Sequence, residues 1–168
     1  LKDFAFSSFA TMTQELPSAL AQQSPTRRGL ATGPDMGLSP GLADVMRQEG
    51  YSVNIAGGFK SRMGPTGNPT AYGVYLAMKE ATRVKFGTEA LAGKTVVVQG
   101  LGAVGYPLVE KYLSKEEVDI FVTDILQDPI KKLMAQFPDR VKEIDPREVL
   151  ALDADILVPC AMGGILGE

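Results

Sequence analysis

An α/β fold built on a doubly wound, mostly parallel sheet is predicted by three observations in this chain. Short β-branched or apolar runs, Thr95-Val96-Val97-Val98, Val118 to Val122, Val141 to Ile144 and Asp155-Ile156-Leu157-Val158, alternate with segments of helical period. A G-x-G-x-x-G, Gly100-Leu101-Gly102-Ala103-Val104-Gly105, stands directly between the first run and the first of those helical segments. The second run closes on Thr123-Asp124, an acid nineteen residues past Gly105 (124 − 105). Each run is too brief for a helix, and the first, Val96-Val97-Val98 at its heart, reads as a strand covered on both faces.

From the start of the chain, Phe9, Met12 and Leu16 are spaced three and four apart, which predicts a helix ending near Pro17. Ser24 to Gly29 reads as a loop, and its arginine pair as solvated. Asp35 sits in Gly33-Pro34-Asp35-Met36-Gly37, where spacing alone makes it a turn or capping residue. Ser39 then caps a helix over about Gly41 to Gln48, with Pro40 in its first turn, Leu42, Val45 and Met46 inward, and Gly50 as its stop. Gly57 to Asn68 is glycine- and proline-rich and long for a connection, which marks a functional or mobile loop; Lys60 and Arg62 on it are by default solvated. A helix over Thr70 to Phe86 follows, with Val74, Met78, Ala81 and Lys85 on successive turns, Asn68 and Thr70 at its cap and Gly87 as its stop.

Past the glycine turn, Tyr106 to Leu113 places Leu108, Val109 and Leu113 on one side of a helix. Pro129 to Phe137 reads as another helix and Pro146 to Leu152 as a helical turn or two. Strand order 3-2-1-4 is expected for a doubly wound sheet, with a crevice where strands 1 and 4 part. Pro159-Cys160-Ala161-Met162-Gly163-Gly164 then lies at the carboxyl end of strand 4. A single cysteine is more often a small buried hydrophobe, but this position makes the backbone at Cys160 and Ala161 a contact candidate.

The turn has a mechanical logic that points to a dinucleotide. Gly100 permits a backbone angle closed to other residues, Gly102 leaves the main chain bare for a diphosphate, and Gly105 lets helix and strand approach. The N–H groups near Ala103 and Val104 face the phosphates at the positive helix end. Asp124 is placed to hold the adenosine ribose hydroxyls and repels a 2′-phosphate, which favours NAD over NADP. Ile125, directly after it, joins the cofactor-binding set. A glycine turn in some other α/β protein is the bland alternative; the strands, helix and acid all falling in place favour the dinucleotide.

Bulk properties exclude other classes. The 168 residues are 45% hydrophobic and 22% charged, as in soluble globular proteins, enough for one core or one domain with part of another. A net charge of −3 offers no basic footprint for nucleic acid or an anionic membrane. One cysteine allows no internal disulfide and no thiolate zinc cluster, and fits a reducing cytoplasm. No histidine is present, which removes Ser-His-Asp and Cys-His catalysis and most histidine metal sites, so no metal is expected. Proton transfer falls to Asp, Glu, Lys, Tyr or water. The chain begins at Leu1 rather than Met and stops just after a glycine turn, which reads as a fragment or a sequence lacking segments.

Five blocks carry a resemblance: Pro34-Asp35-Met36-Gly37, Thr70-Ala71-Tyr72-Gly73-Val74-Tyr75, Gly93 to Gly102, Val122-Thr123-Asp124 and Asp155 to Ala161. In that order they resemble the Glu/Leu/Phe/Val dehydrogenase family, closest to its leucine, valine and phenylalanine branch. The resemblance implies a Rossmann-like domain over 70–168, truncated at its C-terminus, after a remnant of a substrate domain and connecting loop over 1–69. It implies NAD-dependent oxidative deamination of an L-amino acid, branched-chain or aromatic, to a 2-oxo acid and ammonia, in a homo-oligomer. Asp35 is then the proton-transferring carboxylate and Thr70 lies by the nicotinamide carboxamide.

Departures accompany the likeness. The family's glycine-rich lysine motif belongs upstream of Asp35, where only Lys2 stands. Gly57-Gly58-Phe59-Lys60 imitates it on the wrong side, and Ala103 stands where the family usually has asparagine. A non-catalytic NAD-binding or interaction module derived from such an enzyme is the alternative reading.

Overall fold

The computed structural model describes residues 31–34, 39–48, 54–55, 57–62 and 64–163. The helix near Pro17, the loop at 24–29, Asp35 and the Gly50 stop lie outside the described residues. The chain divides into two compact units, Leu1–Thr66 and Gly67–Glu168.

In the first unit, β1 (Ala31–Thr32) pairs in parallel with β2 (Asn54–Ile55). Between them runs α1 (Pro40–Gln48). Its start is as the residues dictate: Ser39 Oγ accepts the Leu42 N–H at 3.2 Å, and Pro40 opens the first turn, where no N–H is needed. Its inward face differs from expectation. Ala43 and Asp44 are buried, whereas Val45 is 43% exposed. Asp44 is tied across the unit: both its oxygens accept the N–H of Lys60, at 3.1 and 3.0 Å.

The second unit is a four-stranded, all-parallel sheet of β3 (Thr95–Gln99), β4 (Asp119–Thr123), β5 (Val141–Glu143) and β6 (Ile156–Pro159). Strand order is β5-β4-β3-β6, which is the expected 3-2-1-4. Val98 stands opposite Val122 on one side and Val158 on the other. Pro159, which has no N–H to give, ends the edge strand.

One face of the sheet is covered by α2 (Gly67–Phe86), α3 (Gly105–Lys111) and α4 (Gln127–Gln136). Val96, Val98, Ile120 and Val122 pack there on Ala71, Met78, Leu108, Leu113, Ile130 and Leu133. The other face is thinner, with Val97, Ile144 and Val149 against Phe121, Leu152 and Leu157. That division follows from handedness. Two crossovers run one way to β5, and the third returns past β3, so it lies on the opposite face.

Helix bounds depart from the sequence reading in instructive ways. α2 begins at Gly67 rather than Thr70, because Pro69 is tolerated in a first turn. Thr70 is therefore a helical residue, and the buried stripe is Ala71, Met78 and Thr82 while Ala81 and Lys85 are exposed. α3 is only seven residues long, and a 3-10 turn over Leu113–Lys115 completes what the periodicity suggested as one helix. Pro146 to Leu152 forms hydrogen-bonded turns. Among the described residues, no helix is long and apolar enough to cross a membrane, and no group of three or more Cys, Asp or Glu side chains is placed to hold a metal ion.

Candidate functional site

The residues singled out in the second unit gather around one feature, the turn from Gly100 to Gly105. β3 ends at Gln99, and the Gly100 N–H donates to the Thr123 carbonyl at 2.8 Å, which carries the chain across the end of β4. Gly100 has φ +91°, a left-handed conformation that side chains resist. A β-carbon there would lie 2.6 Å from the Ala161 nitrogen. The turn is therefore seated against the end of β6, at the point where β3 and β6 part. The Cys160 N–H, donating to the Gln99 carbonyl at 2.7 Å, closes that seam.

Gly105 is needed for the approach of α3. A β-carbon there would overlap the Gly100 carbonyl and sit 3.2 Å from Cys160 Cβ. Gly102 is different: it is exposed, its φ is unremarkable, and a β-carbon on it would meet nothing within 4 Å. Among the described residues, no neighbour demands glycine at that position. Ala103 is exposed beside it, and Val104 precedes the first residue of α3 without a side-chain cap. With α3 so short, its dipole is small, and bare turn N–H groups matter more than the macrodipole argument suggests.

Asp124 occupies the end of β4, half-buried. Its Oδ2 accepts the Leu101 N–H at 2.5 Å and its Oδ1 accepts the Leu126 N–H at 2.8 Å. Ile125, next to it, is 94% exposed. The half-buried thiol of Cys160 is pushed up from its ordinary pKa by burial, so it stays protonated and behaves as packing. Ala161 and Met162 are exposed past it.

Two contributors escaped the sequence reading. Gly67 opens α2 with its α-carbon so close to Ala103 that a β-carbon would overlap the Ala103 carbonyl. This packing brings the start of α2, three residues before Thr70, to the glycine turn. Its signal was visible only as Gly-Asn-Pro, which reads as loop punctuation. Lys111 Nζ donates to Asn68 Oδ1 at 3.0 Å, a second tie between α2 and α3. Lys60 and Arg62 are exposed, in keeping with solvated loop cations.

No family model matches the chain. Individual proteins do. Over 140 residues it is 36% identical to leucine dehydrogenase of Geobacillus stearothermophilus, covering 82% of this chain and 36% of that protein. Phenylalanine dehydrogenase of Lysinibacillus sphaericus is 37% identical over 143 residues, covering 82% and 36%. The crystal structure of L-tryptophan dehydrogenase from Nostoc punctiforme superposes with a TM-score of 0.60 at 32% identity, covering 82% of this chain and 37% of that one. The chain thus spans little more than a third of the length of the curated relatives it matches. In sequence and in fold alike, it belongs to the amino acid dehydrogenase family of oxidoreductases.

Proposed function

We propose that this chain is the NAD-binding part, with an adjoining substrate-side segment, of an enzyme that oxidatively deaminates an L-amino acid to a 2-oxo acid and ammonia. The division is residues 1–69 for the substrate side and 70–168 for the cofactor side. The observation that carries the reading is Gly102, a glycine that nothing among the described residues requires, lying bare at the carboxyl edge of a 3-2-1-4 sheet. A diphosphate laid on the turn would require it. The cradle fits such a group: the edge is exposed at Gly102, Ala103 and Ile125, and Asp124 stands at the next strand end.

In this reading Gly100, Gly102, Ala103, Val104 and Gly105 present main chain to the diphosphate. Asp124 accepts from the adenosine ribose hydroxyls, and the exposed Ile125 gives the adenine an apolar surface. Thr70, Cys160 and Ala161 border the nicotinamide half. Bound there, NAD supplies the hydride acceptor. Asp35 holds and returns the proton that moves between water, the substrate nitrogen and solvent, a task a carboxylate performs if a lysine is held near it. Relatives named for leucine, phenylalanine and tryptophan support a branched-chain or aromatic substrate. The same reading makes the protein a homo-oligomer of the reducing cytoplasm, with small molecules rather than nucleic acid or membrane as partners.

In the full-length protein, Gly102→Ala should leave the melting temperature in place while weakening NADH by roughly tenfold to a hundredfold, the effect of about 1–3 kcal/mol of overpacking. Equal NADH affinity in both proteins would remove the diphosphate from this turn. Asp35→Asn should abolish turnover of an L-amino acid panel, followed by NADH absorbance, with NAD still bound. Retained turnover would take Asp35 out of the chemistry.

A further inference from the structure

We propose that Asp124 is also the positioning residue of the glycine turn, so that ribose recognition and diphosphate recognition depend on one side chain. This rests on the assignment of the turn to a dinucleotide. The Leu101 N–H lies inside the turn, yet its acceptor is Asp124 Oδ2, twenty-three residues away and on the next strand. The other oxygen, Oδ1, accepts the Leu126 N–H, which fixes the carboxylate in the plane that faces the turn. Together with Gly100 N–H to Thr123 O at 2.8 Å, this pins two consecutive turn residues to the end of β4 before any ligand arrives. Leu101 is itself buried at its side chain, so the turn is anchored from below by packing and from the side by the carboxylate.

An ionised carboxylate has about four acceptor positions. Two serve the protein's own N–H groups, which leaves two for the paired hydroxyls of a ribose. The same side chain therefore satisfies both tasks at once. It follows that replacing Asp124 does not exchange NAD for NADP. Removing the charge removes the repulsion of a 2′-phosphate, but it also frees Leu101 and loosens the ledge that both cofactors share. Asp124→Asn retains a single acceptor oxygen, so it can serve one of the two N–H groups and turns an N–H₂ toward the other.

The experiment compares NADH with an analogue whose adenosine ribose lacks both hydroxyls, by calorimetry, in the full-length protein and its Asp124→Ala variant. The expected result is that Asp124→Ala weakens the deoxy analogue as well, on the order of tenfold or more for a lost charge-assisted hydrogen bond. NADPH is expected to gain nothing. In the ligand-free proteins, the Leu101 amide should exchange with solvent on the order of tenfold faster in the variant, a readout that a purely ribose-binding role leaves unmoved. Should Asp124→Ala fold poorly, Asp124→Asn carries the same comparison with a smaller loss. An analogue affinity indifferent to the substitution, while NADH weakens, would overturn the positioning role and leave dinucleotide binding intact. Failure of the unsubstituted protein to bind NADH would overturn both.

Discussion

Two glycine-rich loops in this chain are each held by a carboxylate, and they differ in what that carboxylate has left to offer. Beneath Gly58, Asp44 is 6% exposed and turns both oxygens onto the single N–H of Lys60. A β-carbon on Gly58 would stand 2.8 Å from the Asp44 Cγ, so the loop closes over the acid. Asp124 instead takes one N–H on each oxygen and remains half-buried at an open sheet edge, among exposed Gly102, Ala103 and Ile125. A carboxylate sealed to that degree holds its loop from within the fold. One at an open edge holds a turn and keeps acceptor positions for a ligand. In the proposed reading, burial rather than residue type or glycine content separates the structural loop from the binding one.

The strongest way to break the contrast is Gly100→Ala, in which the left-handed angle and the approach to Ala161 oppose a side chain together. Strain and displacement should cost roughly 2–5 kcal/mol, lowering the melting temperature and abolishing dinucleotide binding. Normal NADH affinity in that variant would mean the turn is not the ledge proposed. Next in size is Asp44→Ala, which leaves the Lys60 N–H without its carboxylate acceptor. A loss of about 1–3 kcal/mol by denaturant unfolding, with NADH affinity unmoved, is the outcome that keeps Asp44 structural. A parallel fall in NADH affinity would merge the two loops into one functional class.

The smallest effect concerns a third carboxylate, Glu116, which holds a side chain instead of a backbone N–H. The Tyr75 O–H donates to it, Lys79 Nζ lies 3.8 Å from it, and the Tyr75 ring stacks on Tyr112 at 5.3 Å. That hydrogen bond, with burial adding to it, pushes the Tyr75 hydroxyl from 10.0 up to about 12. The folded state therefore holds this proton more tightly than the unfolded chain. Its stabilising share is complete below pH 10 and fades as pH rises toward 12. Thermal melts of the unsubstituted protein and Tyr75→Phe across that interval should converge as the share is lost. Parallel curves would show that the bond has no weight in stability.

Much of the second unit was legible in the residues because the signals there are local. Three valines in a row between turn residues favour a buried strand, and G-x-G-x-x-G has conformational requirements of its own. Order 3-2-1-4 followed once a crossover rule was added to four apolar runs. Less was legible where helix ends and inward faces were concerned. Gly67-Asn68-Pro69 looked like loop and is the first turn of α2; Val45 looked inward and is exposed.

What this sequence determined unaided was which segments become strands, where the chain can turn left-handed, and which acid ends the second strand. Those are properties of a residue and its near neighbours, set by sterics and by β-branched or apolar patterning. Only the tertiary structure decided that Asp44 is sealed, that Gly67 must be bare to sit on Ala103, and that Leu101 finds its acceptor in Asp124. Each of those joins groups sixteen or more residues apart, and no local preference encodes which partner a polar group meets when the chain folds.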